Sequence, residues 1–438
     1  MYLMTVRRIA VIGAGISGNL IANLLSSQFE VHLFEANHYL GGHSNTVDVE
    51  IDGQIYPVDT GFMVFNERTY PNFCRLLGHL HVDAQDSDMS FSVRCARTNL
   101  EYEGSSVNGL FAQRKNLLSP RFYGMLRDIL RFNRDAPQIL DSDVELTLGE
   151  YLERNGFRDA FINQYLLPMS AAIWSCMPGR MLDFPARFLV GFFRNHGLLQ
   201  IRNRPRWKTI IGGARNYVEK LVAPLADRIH LNCPIESVVR QPDQVLVQPA
   251  EQNALTFDAV VFATHADQTL DILKDADALE REILGAFPYQ QNDAVLHTDT
   301  SILPRRRRAW ASWNYHIPQE GDGPVSVTYD LSRLQNHRTS GPILLTLNDT
   351  TTIDPAKQIR RFVYHHPAYR ENSVASQKRH GEISGRRHTY YCGAYWGYGF
   401  HEDGVNSALA VAKQFGIGLD ACTVAYTKDE SHIAATVQ

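Results

Sequence analysis

Cysteine is scarce in this sequence, and none of it pairs at short spacing. Cys74, Cys95, Cys176, Cys233, Cys392 and Cys422 are scattered over 438 residues with no CxxC. That excludes a structural zinc motif and a disulfide framework, and it fits a reducing compartment. Long apolar runs are missing too, since none approaches the roughly 18 residues of a membrane span. The apolar N-terminal stretch lacks a small-residue cleavage site after it, and its embedded glycines account for it better than a signal peptide does. Charge of one sign is also lacking: a net charge of −4 gives no field for nucleic acid, so no nucleic-acid partner is expected. There is no internal repeat and no low-complexity tract. What remains, 44% apolar and 21% charged, is the composition of a soluble globular chain long enough for about two or three domains. The expected location is the cytoplasm.

The first chemistry-bearing feature is "RRIAVIGAGISGNLIANLLSSQFEVHLFEANHYLGG". A buried strand (9–12) runs into a glycine turn, then a helical pattern (16–25), then an alternating strand (31–34) ending at Glu35. Gly13, Gly15 and Gly18 form GxGxxG. The first permits the turn, the second lets backbone approach a diphosphate, and the third lets helix pack on strand. The helix N-terminus, with Ser17 in its first turn, presents unpaired N–H groups to the phosphates. Glu35 lies twenty residues beyond Gly15, where an acid accepts hydrogen bonds from an adenosine ribose. Dinucleotide binding follows; NAD and FAD both fit this much.

"YLGGHSNTV" and "YPVDTGFMVFN" go further. With them the sequence resembles the flavin-containing amine oxidase and phytoene desaturase superfamily, where an acid, a GG pair and a D-x-G segment follow the first helix. The resemblance implies FAD contacted by Gly41, Gly42, Gly61, Phe62, Met63 and Val64. No cysteine lies between 233 and 392, where monoamine oxidases attach flavin covalently, so the FAD is expected to be noncovalent. This chain has His43 where the family usually carries Arg beside the diphosphate. "PIESVV" resembles the strand whose backbone meets the adenine, near Ile235, and "VVFATHA" the strand ending at the cofactor, around Thr264. The implied fold is α/β (α+β overall): a Rossmann-like FAD-binding domain of the glutathione-reductase type from 1–68, 206–290 and 380–438. It is interleaved with a substrate domain of mixed sheet and helices from 69–205 and 291–379. A helical pattern dominates from Tyr70 to about Pro205; within it Phe122, Met125, Leu126, Ile129 and Leu130 share one face, after a start at Ser119 and Pro120. More narrowly, "FAQRKNLLSPRF" and "YCGAYWGYGFHEDG" resemble proteins related to the flavin domain joined to some plant cyclopropane fatty acid synthases.

Residues 392–412, "CGAYWGYGFHEDGVNSALAVA", crowd glycines and aromatics ahead of a small-residue helix. The resemblance brings Gly393 to the ribityl-phosphate arm and puts a helix at the flavin pyrimidine, with Phe400, His401, Glu402, Gly404 and Val405 beside the cofactor. The helix is expected from about Val405, capped by Asp403 or Gly404. A helix N-terminus stabilises negative charge there by about 0.3–1 kcal/mol. Trp396 and Tyr398 are expected to wall the cavity in front of the ring.

A flavin needs the substrate C–H held close and water kept out, so a strong base is not obligatory. "NDAVLHTDTSILP" resembles the family strand that offers a lysine, and His297 stands at that place; its ordinary pKa of about 6.5 suits proton transfer, or it is a satisfied strand histidine. Trp310, Trp313 and Tyr315 either line a pocket or fill core. The basic run 305–308 is either a solvated hairpin tip or a contact with lipid phosphates, and the stretch 114–134 is either a core helix or a membrane-surface helix. Three readings stay open. The first is an FAD-dependent oxidoreductase taking hydride from an apolar substrate such as a fatty acyl chain, with peripheral contact at the membrane. The second is an amine or amino-acid oxidase. The third is a non-catalytic FAD subunit partnering a lipid methyltransferase.

Overall fold

The computed structural model describes residues 6–142, 144–175, 177–319, 326–349 and 352–424. Cys176, the start of the 325–331 strand segment and the 425–438 end of the expected FAD-binding segment lie outside them. Seven strands frame the site: β1 (Arg8–Ile12), β2 (Glu30–Phe34), β3 (Ile229–His230), β4 (Ala259–Phe262), β5 (Tyr289–His297), β6 (Gln358–Pro367) and β7 (Thr389–Tyr391). Six helices bear on it: α1 (Ile16–Ser26), α2 (Pro71–His79), α3 (Pro120–Asp135), α4 (Ala186–Asn195), α5 (Arg215–Val222) and α6 (His401–Gln414).

β1 is apolar at every position after Arg8 because both its faces are covered. Ile9 and Val11 feed one core cluster, whereas Ala10 and Ile12 feed the other; a strand buried on both faces loses the polar alternation. It sits at the centre of a five-stranded parallel sheet in the order β7-β4-β1-β2-β3. A three-stranded antiparallel meander, Ile235–Arg240, Val245–Pro249 and Leu255–Phe257, intervenes between β3 and β4. α1 packs on α6 through side chains that are fully buried, Leu20, Leu24, Ala408 and Ala412 among them. Each such leucine contributes roughly 1.5–3 kcal/mol, and the alanines let the helices approach closely.

The second layer is a seven-stranded mixed sheet. Its order is β6, β5, Leu344–Leu347, Ser326–Asp330, Trp313–Ile317, Phe91–Cys95 and Leu100–Glu103, and only the pairing of Trp313–Ile317 with Phe91–Cys95 is parallel. The 70–205 stretch is therefore not helical throughout: Ala84–Asp86, Phe91–Cys95 and Leu100–Glu103 are strands. Their alternation is too short to stand out against the helices that follow. α3 does begin at Ser119, whose hydroxyl accepts from Phe122 N–H, with Pro120 at its first position. Its inner face differs from the expected one. Leu130 is exposed, while Asp128 is buried and bound by Arg158 at 2.7 Å. A long-range guanidinium thus turns the helix by making a carboxylate an inward residue. Trp310 lies outside the strand that carries Trp313 and Tyr315, its indole N–H donating to Pro304 O. The basic run 305–308 is no hairpin tip; it leads into a short 3-10 turn, Arg307–Ala309, between β5 and the strand at 313.

Candidate active site

The turn after β1 is built by close approach. Gly13 has φ +99°, and a Cβ on it would meet Ala263 O at 2.8 Å; a Cβ on Gly18 would lie 1.8 Å from Gly13 O. Gly15 by contrast faces open space, with no atom within 4 Å, and as N-cap of α1 it provides no side-chain cap. The first N–H groups of that helix are left for an anion. Beyond β2, Glu35 accepts from Ala14 N–H at 2.8 Å and from Asn37 N–H at 2.9 Å, so its carboxylate is held at the turn. Gly41 N–H donates to Ala14 O at 2.8 Å, and a Cβ on Gly42 would lie 3.2 Å from Gly15 Cα. The segment carrying Gly61 seats directly on His43: Phe62 N–H donates to His43 O at 2.7 Å. Cys233 N–H donates to Glu35 O at 2.9 Å and so brings the meander's first residue, Ile235, towards the acid. Thr264 arrives from β4, with its N–H nitrogen 3.1 Å from where a Gly13 Cβ would stand. Pieces from across the sequence thus converge on one glycine turn.

The C-terminal segment completes the site. Gly393 N–H donates to Ser407 Oγ at 2.9 Å. α6 begins at His401, four residues earlier than expected, with Phe400 as N-cap and Asp403 at the third position accepting Phe400 N–H at 2.9 Å. Asp403 therefore supports the cap from inside the helix. Ser17 Oγ donates to Gly404 O at 3.0 Å, and a Cβ on Gly404 would press on Ile16 at 2.7 Å. The N-termini of α1 and α6 consequently lie side by side, and Val405 is wholly buried behind them. Glu402 turns its carboxylate to the start of α2, accepting from Asn72 and Phe73 N–H at 3.0 and 2.9 Å. What it offers a ligand is its place in the open first turn of α6. His401 stacks on Phe62 at 3.7 Å, and its Nε2 meets Tyr217 OH at 2.8 Å. Burial, with His43 nearby, drops its pKa to about 3. Met63 and Val64 are half-buried beside it; Met63 O accepts from Thr209.

Of the three residues expected to face the substrate, Tyr398 alone lines the cavity at the start of α6. Tyr398 packs on Phe188 at 4.7 Å and Phe192 at 5.5 Å, and its carbonyl accepts from Trp174 Nε1 at 3.2 Å. Phe400 stacks on Phe192 at 4.9 Å. Together they make an aromatic wall between α4 and the start of α6, beside a cavity of about 610 Å³ also lined by Tyr70, Arg194 and His196. Trp396 turns away to Phe287, Tyr395 and His380. His297 is fully buried within the mixed sheet: Nδ1 accepts from Asp299 N–H at 3.0 Å, and Nε2 meets Thr346 Oγ1 at 2.8 Å. Desolvation lowers its pKa to about 4, so it is a neutral, satisfied strand histidine.

The residue that β5 brings to the site is Asn292, five positions away, or about 17 Å along a strand. Asn292 Nδ2 donates to His366 Nδ1 at 2.9 Å. His366 lies 5.2 Å from the ring of His43, which is 5.1 Å from Tyr364. His265, one residue after Thr264, stacks on Tyr289 at 4.3 Å and lies 6.2 Å from His365. This imidazole cluster was not foreseen from the sequence; "FATHA" and "YHHPAY" were its only local traces. Desolvation, reinforced by the neighbouring imidazoles, lowers His43 and His265 to about 4 and His366 to about 3. His43 Nε2 is buried with no hydrogen-bond partner. An open helix N-terminus and an unpartnered imidazole nitrogen for the phosphates, with an oriented carboxylate to accept from the ribose, are the groups that a dinucleotide requires.

That constellation defines a dinucleotide-binding protein, and the comparisons specify its class. Residues 16–348 match the family model of flavin-containing amine oxidoreductases, and the chain belongs to that family. It is an FAD-dependent oxidoreductase. Its fold is shared by a CLA-producing fatty acid isomerase from P. acnes, with TM-score 0.65 and 17% identity over 93% of this chain and 99% of that one. Cyclohexylamine oxidase from Brevibacterium oxydans IH-35A gives 0.64 and 15% over 94% and 100%. A putrescine oxidase bound to putrescine gives 0.63 and 14% over 93% and 98%. No curated protein matches in sequence. Among the described residues no helix is long and apolar enough to cross a membrane.

Proposed function

We propose that this oxidoreductase takes hydride from a C–H bond of an apolar substrate, and that a fatty acyl chain is the class that best fits its walls. FAD, when bound, supplies the hydride acceptor. The chain's own residues do the rest. The α1 N-terminus, His43 and Glu35 hold the dinucleotide, and the α6 N-terminus favours negative charge on the reduced ring. Tyr398 and Phe400, backed by Trp174, Phe188 and Phe192, exclude water and press on an apolar substrate.

The observation that carries this reading is the state of the carboxylates. Glu402 and Asp403 are the acids lining the cavity, and both are engaged, one by α2 and the other by the cap of α6. An ammonium substrate finds no free counter-charge there. No lysine lines the cavity either, which disfavours an amine oxidase, while Arg68 and Arg194 on its lining suit a substrate carboxylate such as that of a fatty acid. A fatty acid isomerase with the same fold is consistent with an acyl substrate. Anaerobic mixing of the yellow protein with acyl lipids and with an amine panel tests it: bleaching by lipids supports the proposal, and bleaching by amines alone overturns it. A flavin bleached by neither, in a protein that co-purifies with a lipid methyltransferase, would favour a non-catalytic partner role.

A further inference from the structure

The two basic stretches of the sequence, nearly two hundred residues apart, meet on one surface. The short helix Val107–Leu110 packs against the turn Arg307–Ala309. Phe111 ties it onward to α3, with ring contacts to Phe122 at 5.6 Å and Tyr123 at 6.1 Å. Residues 104–127 contain Arg114, Lys115, Arg121 and Arg127 and no acid; residues 300–318 contain Arg305 to Arg308 and no acid. The nearest carboxylates are buried. Glu101 receives Arg306, and Asp128 receives Arg158. Among the described residues no carboxylate pairs with Arg114, Lys115, Arg121, Arg305, Arg307 or Arg308, in a chain whose overall charge is −4.

Large aliphatic side chains stand out of this same basic surface. Leu118 is 89% exposed and Val107 78%, with Leu117 and Tyr123 about half exposed. Protruding leucine and valine gain nothing from a nucleic acid's phosphates. They gain from the acyl layer beneath a phosphate surface, while arginines remain at the headgroups. We infer that residues 105–123 and 305–308 form one docking surface for an anionic lipid bilayer, with Val107 and Leu118 inserted and the arginines on the phosphates. The surface is distinct from the aromatic cavity, and docking is measured without turnover, so its test is independent of the substrate reading.

The test is co-sedimentation of the flavin-loaded protein with vesicles. Wild type is expected to bind phosphatidylglycerol vesicles at low salt, to release on raising salt, and to ignore phosphatidylcholine vesicles. The pair Val107→Asp with Leu118→Asp, and separately Arg307→Glu with Arg308→Glu, is each expected to weaken binding at least tenfold. Flavin absorbance and melting temperature should stay at the wild-type values, because these side chains are exposed. No binding to anionic vesicles at low salt overturns the inference, as does binding unchanged by both double substitutions. Duplex DNA bound more tightly than vesicles, and unaffected by Leu118→Asp, would assign the surface to nucleic acid and overturn it too.

Discussion

FAD affinity should rise as the pH falls, because the diphosphate is met by imidazoles and not by a guanidinium. In the cofactor-free arrangement His43 and His265 titrate at about 4 and His366 at about 3, so the cluster is neutral near pH 7. Tyr289, Asn292 and Tyr364 pack around it, and Asp267 is the acid that His365 faces. An anion placed against an imidazole raises its pKa by about 1–3 units, which lifts His43 to about 5–7. Binding then takes up close to one proton between the free and bound values, and the dissociation constant changes by up to about tenfold per pH unit in that window. From pH 8 to pH 5.5 the constant should fall about 1.3-fold for a bound value of about 5, about fourfold for about 6 and about 30-fold for about 7. Above the bound value the curve is flat, and below about 4 it flattens again.

The assay is recovery of FAD fluorescence on dilution of the yellow protein across this pH range. Riboflavin, which lacks the diphosphate, is the control and should show no such slope. His43→Arg should bind more tightly at pH 8 and lose the pH dependence; a charge-assisted contact of about 1.5–3 kcal/mol corresponds to at least tenfold. The same groups make the opposite prediction for the apoprotein. Their folded pKa values lie below the unfolded value of about 6.5, so the unfolded chain binds more protons between about 4 and 6.5, and stability falls as pH drops through that window. A dissociation constant that is flat or falls with rising pH, or an equal slope for riboflavin, refutes the imidazole account.

Other consequences are more local. His297→Ala should leave FAD binding intact and anaerobic flavin reduction within about threefold of wild type; it should cost about 1–3 kcal/mol in denaturant unfolding through its buried hydrogen bonds, and a hundredfold slower reduction would return it to the mechanism. Gly18→Ala forces a Cβ to 1.8 Å from Gly13 O and should give colourless protein; normal flavin content would show that the turn does not hold the cofactor. Arg240, buried between Glu280 and Asp275, leaves the buried Glu280 carboxylate without its cation if replaced by Met, while Asp275 keeps Arg387. The expected loss is about 3–5 kcal/mol, read by urea unfolding, and a change under 1 kcal/mol would contradict it.

What could be read in advance was local. Gly13, Gly15, Gly18 and Glu35 lie within one strand-turn-helix-strand unit, where spacing alone specifies geometry. The errors came from partners distant in sequence. α3 was turned one way by apolar spacing, but Arg158 fixes Asp128 inside. Sequence puts the start of α6 late because Phe400 has no capping side chain; its N–H donates to Asp403 at the third position, the one half of a capping box that survives. For His297 the sequence leaves open a proton-transfer group or a satisfied strand histidine, and its bonds to Thr346 and Asp299 N–H favour the second; the strand's register is set by pairing with β6 and not by local pattern. The imidazole cluster draws on positions 43, 265, 365 and 366, from three stretches far apart in sequence that meet only when the strands assemble.

The distribution of charge around the site argues for the chemistry independently of resemblance. Imidazoles at positions 43, 265, 297, 366 and 401 are held neutral by burial. Asp403 is pushed up to about 7 by desolvation while it caps α6. The positive ends of α1 and α6 lie side by side at the glycine turn, and both favour anions. An environment with aromatic walls and two helix N-termini would stabilise negative charge on a bound flavin, as the proposed function requires. That arrangement predicts that substituting Phe400 by Asp, which puts a carboxylate at the aromatic wall, should slow bleaching by an acyl substrate by at least tenfold. If bleaching is unchanged, the wall is not where the substrate lies.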